Sequence, residues 1–207
     1  MSFDAIAPWY RTLERIAFGD DLQRCRIACL SEIAAPRRAL IVGEGDGRFL
    51  AELLRLHPEA EVDCIDASER MLQLARQRID EEFSDGVGRT RFRKQDVTSW
   101  SPPEREYDLV VTLFVLDCFP ASELTGIIQK LARAATNDAT WLLADFCMPP
   151  RGIPRLRARA WLAAMYVFFR ITARIPATEL IDPTPLMQFQ RFSLARQHLF
   201  RAGLLKS

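Results

Sequence analysis

The chain has 207 residues, of which 49% are hydrophobic and 27% are charged, and its formal net charge is +1. This composition excludes an intrinsically disordered chain, and the length predicts a single domain over residues 1–207. The longest strongly apolar stretch, residues 160–169, lies between Arg159 and Arg170 and is shorter than the roughly 20 residues that a membrane-spanning helix needs. The first ten residues lack the pattern of a secretory signal and the five cysteines lack zinc-type spacing, so we expect a cytoplasmic protein with reduced thiols.

Hydrophobic periodicity predicts an alternation of helices and strands. A helical segment over residues 8–33, interrupted at Gly19 and Asp20, opens the chain. Strands are then predicted at residues 38–44, 60–67, 90–97, within 107–119 and at 140–146. Helices are predicted at residues 48–57, 68–83 and 121–135, with Ser68 as an N-cap and a turn at Asn137 and Asp138. The alternation over residues 38–147 predicts an α/β fold with a doubly wound, mostly parallel sheet.

The C-terminal quarter of the chain differs from the rest in charge. Residues 151–207 carry ten basic and two acidic residues, whereas residues 1–150 carry 18 basic and 25 acidic ones. In this quarter we predict a linker over residues 147–155, a basic helix over 155–175 and an irregular stretch over 175–185. Two strands joined by a turn at Gly203 are predicted within residues 192–207.

A glycine-rich turn, "GEGDG", follows the first predicted strand. Gly43, Gly45 and Gly47 allow backbone conformations closed to other residues and a close approach by a ligand. The turn lies at the carboxyl edge of the sheet, where doubly wound folds bind their ligands. A dinucleotide-binding turn would have its last glycine at position 48, which is Arg48, and no Walker-type lysine follows. The pattern is therefore GxGxG and matches neither phosphate-binding motif.

Acidic residues in and after this turn bear on the ligand. Glu44 and Asp46 would repel a pyrophosphate, whereas S-adenosylmethionine (SAM) has no phosphate and carries an ammonium and a sulfonium. Alternatively, both side chains point to solvent near a helix N-terminus, where acids are stabilised. Asp66, after the second strand, suits ribose hydroxyls, and Asp96, after the third, suits an adenine amino group. Each is equally typical of a helix cap or turn, but three such features at three successive strand ends favour SAM.

The chain resembles the class I SAM-dependent methyltransferases through "LIVGEGDGRF", "VDCIDASERML", "RKQDV", "YDLVVTLFVLDCF" and "TWLLADF". The segment "FDAIAPWYRTLERIAFG" is similar to the opening helix of the ubiquinone/menaquinone-type members. The resemblance implies a Rossmann-like fold, with residues 1–36 as a helical lid, 38–147 as the cofactor-binding core, 148–186 as a basic and aromatic cap insert and 187–207 as terminal strands. It also implies SAM as methyl donor, S-adenosylhomocysteine (SAH) as product, and no metal.

The resemblance also implies the residues of the site. The glycines would line the methionine portion of SAM, and Thr112 with Leu113 would lie by the methyl donor. Family members usually have an acid two residues before the first glycine, where this chain has Ile41, and we hypothesise that Glu44 replaces it. For Met71 the alternative is an ordinary position in a helix core. The full set for the cofactor is Tyr10, Gly43, Glu44, Gly45, Gly47, Asp66, Ala67, Met71, Asp96, Val97, Thr112 and Leu113, and the set for the acceptor is Phe114, Tyr166 and Phe169.

The methyl acceptor is less well defined by the sequence. Asp117 is the best-placed acid for a general base, although capping of the helix that begins near Ala121 is the favoured interpretation. The basic and aromatic residues 151–175 suit a small apolar or aromatic acceptor, an anionic membrane surface, or a cap helix with a solvated end. The fourth strand is not followed by an NPPY-like tetrad, which disfavours a nucleic-acid substrate.

A small-molecule methyltransferase is thus the favoured interpretation of the sequence. An NAD-dependent oxidoreductase and a SAM-binding scaffold without catalysis are the alternatives, and the sequence predicts no oligomeric state.

Overall fold

The computed structural model describes residues 3–83 and 86–207. In this part of the chain, seven strands form one sheet with the order β3-β2-β1-β4-β5-β7-β6. Strands β1 to β5 are parallel, and β7 is antiparallel to both β5 and β6. The predicted α/β fold with a mostly parallel sheet is therefore confirmed. The strands are β1 Arg38–Val42, β2 Glu61–Asp66, β3 Thr90–Lys94, β4 Tyr107–Leu113, β5 Ala135–Phe146, β6 Leu199–Phe200 and β7 Leu205–Lys206.

The described helices flank this sheet and extend beyond it. Helices α1 and α2 are separated at Gly19, whose φ of +61° ends the first of them, as the sequence predicted. The first two residues of the predicted lid lie outside the described residues. The helices are α1 Ala7–Phe18, α2 Asp21–Ile27, α3 Arg48–Leu56, α4 Glu69–Glu82, α5 Gly86–Arg89, α6 Ala121–Ala134, α7 Gly152–Thr172 and α8 Thr184–Phe189.

The centre of the sheet forms the core and fixes the position of the site. Leu40, Ile41 and Val111 are buried, as expected for central parallel strands covered on both faces. Val42 lies opposite Ile65 on β2 and Thr112 on β4. Strands β1, β2 and β4 therefore end near the same edge, and the glycine turn follows β1 there.

The predicted turn at Asn137 and Asp138 is wrong, because these residues lie within β5. Tyr107 pairs with Ala135, and Leu109, two residues later, pairs with Thr140. Strand β5 therefore carries extra residues and bulges between these two pairs. The bulge accommodates the polar residues that suggested a turn.

The C-terminal prediction is only partly confirmed. Helix α7 begins at Gly152 and includes Pro154 in its first turn, where a missing amide is tolerated. The predicted terminal strands over 187–207 are wrong for most of that range, because α8 occupies Thr184–Phe189 and the strands β6 and β7 have two residues each. No described helix, α7 included, has the length and apolarity that crossing a membrane requires.

Candidate functional site

A cavity opens at the carboxyl edge of the sheet, beside the glycine turn. Its lining combines the ends of β1, β2 and β4, the segment after β3, and residues of the N-terminal segment and α2. A second groove lies elsewhere, against β5 and α8, and contains none of the predicted cofactor residues. The lining of the first cavity is Phe3, Tyr10, Arg26, Val42, Gly43, Glu44, Gly45, Asp46, Ile65, Asp66, Ala67, Met71, Gln95, Asp96, Val97, Leu113, Phe114, Val115, Cys118 and Phe119.

The three glycines of the turn have positive φ angles of 69°, 74° and 84°, but their surroundings differ. A Cβ on Gly43 would lie 2.7 Å from Val115 Cγ2, and one on Gly47 would lie 2.8 Å from Ala75 Cα. A Cβ on Gly45 would meet nothing within 4 Å. Gly43 and Gly47 therefore serve close packing within the protein, whereas Gly45 leaves backbone open to the cavity. Gly47 itself does not line it.

Glu44 is buried, so the alternative that it points to solvent is wrong. Its Oε1 accepts hydrogen bonds from the backbone N–H groups of Phe49 (3.1 Å) and Leu50 (3.0 Å), which begin α3. Its Oε2 is also buried and has no hydrogen-bond partner among the described residues. Burial raises the pKa of Glu44 to about 8. The side chain thus caps α3 with one oxygen, while the other oxygen is buried without a described partner in a residue that lines the cavity.

Asp46 is ion-paired rather than free in solvent. Arg48 Nε donates to Asp46 Oδ1 at 2.8 Å, and Arg48 also contacts Glu14 Oε1 of α1 at 2.9 Å. Glu14 in turn accepts two hydrogen bonds from Arg26 of α2, at 2.9 and 2.7 Å. Burial opposes ionisation of Glu14, but the bonds from Arg26 and Arg48 more than offset it and lower its pKa. This chain of ion pairs holds the N-terminal helices against the glycine turn.

Arg26 is a cavity residue that the sequence interpretation missed. Its guanidinium is buried, bonds Glu14, and lies 5.3 Å from the centre of the Phe114 ring. Two bonds to Glu14 leave further N–H donors of the guanidinium for a ligand. The available signal was its place in α2, where Leu22, one turn earlier on the same side of the helix, is also buried. A charged residue on such an apolar stripe requires a partner.

Asp66 ends β2 and lines the cavity. Its Oδ1 accepts from the N–H of Ser68 at 2.8 Å, and its Oδ2 from the N–H of Gly45 at 3.4 Å. Burial raises its pKa to about 6, so it is mostly ionised at neutral pH. Ser68 caps α4 through a hydrogen bond from the N–H of Met71, as predicted. Asp66 thus joins the glycine turn to the end of β2.

The other predicted residues after β2 and β3 also line the cavity. Met71 is buried on α4 and, like Ala67 and Val97, adds apolar surface. Asp96 Oδ1 accepts from the N–H and hydroxyl of Thr98, at 2.9 and 2.6 Å, so Asp96 also stabilises a turn. These bonds lower the pKa of Asp96.

The predicted pair at the end of β4 is divided by the pleat of the strand. Leu113 lines the cavity, but the Thr112 hydroxyl accepts from Trp141 Nε1 at 2.9 Å and does not line it. Successive side chains of a strand point to opposite faces, so only one of the pair can face the ligand edge. Phe114 lines the cavity and has a φ of +56°, which is uncommon outside glycine.

Asp117 and Asp145 carry buried carboxyl groups that do not line the cavity. Asp117 lies in the 3-10 turn Leu116–Cys118, and α6 is preceded by Pro120 without a side-chain cap. The interpretation of Asp117 as a helix cap is therefore wrong. Burial raises its pKa to about 7. Asp145, which the sequence interpretation missed, ends β5 with a buried Oδ2 that lacks a hydrogen-bond partner among the described residues.

The predicted acceptor residues of α7 lie one layer outside the cavity. Tyr166 donates its hydroxyl to the backbone oxygen of Asp117 at 3.4 Å. The Phe169 ring packs against Phe3 with 5.7 Å between ring centres, and Phe3 lines the cavity. Helix α7 therefore supports the cavity wall without forming it. Phe3, Cys118 and Phe119 are lining residues that were not predicted.

Comparison with known proteins agrees with this arrangement. Residues 39–138 match a family model described as "Methyltransferase domain". A demethylmenaquinone methyltransferase of Deinococcus radiodurans is 30% identical over 153 residues, which are 73% of this chain and 61% of that protein. The chain therefore spans about three fifths of that relative's length.

Solved structures of low sequence identity share the fold. An O-methyltransferase family protein from Burkholderia thailandensis superposes with a TM-score of 0.66 at 18% identity, over 95% of this chain and 58% of that one. A mitomycin 7-O-methyltransferase superposes with a TM-score of 0.68 at 16% identity, over 100% of this chain and 59% of that one. The fold is therefore that of these methyltransferases.

Proposed function

We propose that this chain, which belongs to the class I SAM-dependent methyltransferase family, transfers a methyl group from SAM to a small apolar or aromatic acceptor. The observation that carries the proposal is the cavity beside the glycine turn. It brings together a free carboxyl oxygen of Glu44, the carboxyl group of Asp66 and the guanidinium of Arg26. The rest of its lining is largely apolar, including Leu113 and Phe119. The polar part suits SAM and the apolar part suits the acceptor.

The residues of the cavity fit the methionine end of SAM. The backbone at Gly45 is open, because an added Cβ would meet nothing within 4 Å. Arg26 has guanidinium donors left for the carboxylate of SAM. Glu44 Oε2, which is buried without a described partner, is the acceptor for its ammonium group. Glu44 thereby takes the role of the acid that family members have at the position of Ile41.

The adenosine end of SAM has matching residues on the same lining. Asp66, with a pKa of about 6, is ionised at pH 7 and accepts from the ribose hydroxyls. Met71 and Val97 provide apolar contacts for adenine, and Asp96 accepts from the adenine amino group. Each of these residues lines the cavity.

The cap on α3 argues against a dinucleotide. A pyrophosphate in such a fold binds to the free N–H groups at the start of the helix after the glycine turn. Here Glu44 already occupies the N–H groups of Phe49 and Leu50. A phosphate would have to displace a buried carboxyl group and then lie close to it. This disfavours the NAD-dependent oxidoreductase.

SAM supplies a methyl group bound to a sulfonium, which is a good leaving group. The main task of the protein is therefore alignment of the acceptor with the methyl group. Leu113, Phe114 and Phe119 provide a wall against which an apolar or aromatic acceptor packs. The relative from Deinococcus radiodurans is named for demethylmenaquinone, which supports a lipophilic aromatic acceptor.

An acceptor hydroxyl would also need a base. Asp117, with a pKa of about 7, is ionised in about half of the molecules at neutral pH, as a general base requires. It does not line the cavity itself but is adjacent to Cys118, which does, so a proton from the acceptor would reach it through a water or a movement of the 3-10 turn. We propose Asp117 as the proton acceptor for oxygen acceptors.

The proposal is tested by calorimetric titration of the full chain with SAM, SAH and NADH, followed by transfer of labelled methyl from SAM to a panel of quinones and phenols. We expect SAM and SAH to bind, NADH not to bind, and at least one aromatic acceptor to be methylated. Binding of NADH instead of SAM would make the chain an oxidoreductase. Binding of SAM without turnover on any acceptor would leave a SAM-binding protein without catalysis.

A further inference from the structure

Helix α7 is apolar on two opposite sides. Its inner side buries Ala158, Leu162, Met165 and Tyr166 against the protein. On its outer side an exposed apolar row follows the helical repeat of three to four residues. From Ile153 to Ile171 this row spans 19 residues, or about 27 Å at the helical rise. The row consists of Ile153, Leu156, Ala160, Ala164, Val167 and Ile171.

The exposure of this row is too large to be incidental. Ile153, Leu156, Val167 and Ile171 are 74%, 70%, 57% and 76% exposed, respectively. Single exposed apolar residues are common on protein surfaces, but a contiguous row along about five turns of helix marks a surface that contacts something else.

Helix α1 lies beside α7 and is exposed in the same way. Phe18 of α1 packs edge-on against Trp161 of α7, with 5.6 Å between ring centres. On α1, Trp9 and Ile16 are 67% and 79% exposed and lie two turns apart on one side. Trp9 and Ile16 lie on the side of α1 opposite Phe18, so we call the α7 row alone the apolar face.

The charge beside the apolar face is of one sign. Residues 151–175 contain six arginines and no acidic residue. All six are exposed, and none forms a salt bridge with a described residue. They are Arg151, Arg155, Arg157, Arg159, Arg170 and Arg174.

The apolar row and the arginines without salt bridges together indicate what kind of partner binds to the apolar face. In a symmetric dimer through this face, the same patch would meet itself, and arginines would face arginines without compensating acids. A nucleic acid would pair with the arginines but would leave the apolar row without a partner. An anionic lipid bilayer interacts with both the arginines and the apolar row, because its headgroups attract arginine and its acyl boundary takes up apolar side chains.

We propose that the apolar face docks this protein on an anionic phospholipid surface, with α7 lying in the plane of the interface. The inference rests on the exposed surface alone. If the proposed function also holds, docking places the apolar acceptor wall, which α7 supports through Phe169 and Phe3, next to the phase in which a lipophilic acceptor dissolves.

The test is co-sedimentation of the full chain with phosphatidylcholine vesicles, with and without phosphatidylglycerol, at low and high salt. We expect binding that requires the anionic lipid and weakens with salt. The double variant Ile153→Gln/Ile171→Gln should reduce partitioning at least tenfold. Arg157→Gln/Arg170→Gln should reduce it by roughly fivefold for each arginine that reaches the surface. The control is Phe189→Gln/Leu199→Gln, whose targets are 83% and 60% exposed away from α7, and it should bind as the wild type does.

Three results would overturn the proposal. One is absence of wild-type binding to anionic vesicles at low salt. Another is partitioning that neither double variant reduces. The third is a stable dimer in lipid-free solution that Ile153→Gln/Ile171→Gln dissociates, which would assign the face to a second copy. Calorimetric SAM binding by each variant checks the fold and keeps this test separate from that of the proposed function.

Discussion

The substitution Glu44→Gln distinguishes a contact of Glu44 with the ligand from its structural role in capping α3. Glutamine keeps the oxygen that accepts from Phe49 and Leu50, and it is uncharged, as Glu44 mostly is at pH 7 because its pKa is about 8. We therefore expect little change in the thermal stability of the ligand-free protein. The variant cannot form a carboxylate at this position, so its side chain cannot offer a negative charge to an ammonium group.

The expected loss of SAM affinity in Glu44→Gln follows from the pKa of Glu44. Ionising Glu44 at pH 7 costs about 1.4 kcal/mol, since its pKa lies about one unit above the pH. A hydrogen bond to a charged group contributes about 1.5–3 kcal/mol. The net contribution to SAM binding is up to about 1.5 kcal/mol, so the variant should bind SAM up to about tenfold more weakly.

Binding should also release a proton from Glu44. At pH 7 about nine in ten wild-type molecules carry that proton before SAM binds. Calorimetry in phosphate and in Tris, which differ in ionisation enthalpy, measures this release. We expect close to one proton for the wild type and nearly none for Glu44→Gln. Glu52→Gln, the same change at a half-buried position of α3 that is paired with Arg55 and does not line the cavity, should match the wild type. Equal affinity and equal proton release in wild type and Glu44→Gln would refute the contact.

Two further predictions concern Asp66 and the glycine turn. The pKa of Asp66 is raised to about 6, so a proton competes with the ribose hydroxyls in acid. SAM affinity measured by calorimetry should fall below pH 6 in the wild type, while the contribution of this group to stability of the free protein should rise, because a raised carboxyl pKa favours the protonated folded state. Asp66→Asn should bind weakly with no such pH dependence, and an unchanged profile would contradict the assignment. Gly47→Ala should lower the free energy of unfolding in urea by about 2–4 kcal/mol, because it combines a positive φ with a contact of 2.8 Å to Ala75 Cα. Gly45→Ala has the same strain but no contact within 4 Å and should lose about 1–2 kcal/mol; equal losses would argue against the packing explanation.

The fold was predictable because its signals are local and periodic. The buried strands, the break at Gly19 and the cap at Ser68 each follow from a few neighbouring residues. The turn expected at Asn137 and Asp138 failed because pairing with β4 carries the strand through a bulge, and strand pairing is not visible in local composition. Helix α8 was missed because its six residues give too few turns for a periodic pattern.

The candidate site was predictable at the ends of strands and less so elsewhere. Most of the residues predicted next to β1, β2 and β3 line the cavity, Gly47 being the exception, because parallel strands end together. Thr112 was misplaced because the prediction named two consecutive residues, and the pleat allows only one to face the cavity. Asp145 was missed because what identifies it is burial without a partner for Oδ2, a property of the folded chain, and Arg26 because its pairing with Glu14 joins two separate helices.

The acids of the glycine turn have two different roles, although they are two residues apart. Asp46 is neutralised by Arg48, which also holds Glu14 of the N-terminal helix. Through Arg48, its charge therefore helps to hold the N-terminal helices against the glycine turn. Glu44 forms no salt bridge with a described residue and is buried, so its pKa of about 8 keeps it mostly protonated at pH 7 in the ligand-free protein. Under the proposed function, a turn that resembles a nucleotide-binding loop can thus carry two carboxyl groups, because one is compensated by Arg48 and the other would gain its charge when the ammonium group of SAM binds.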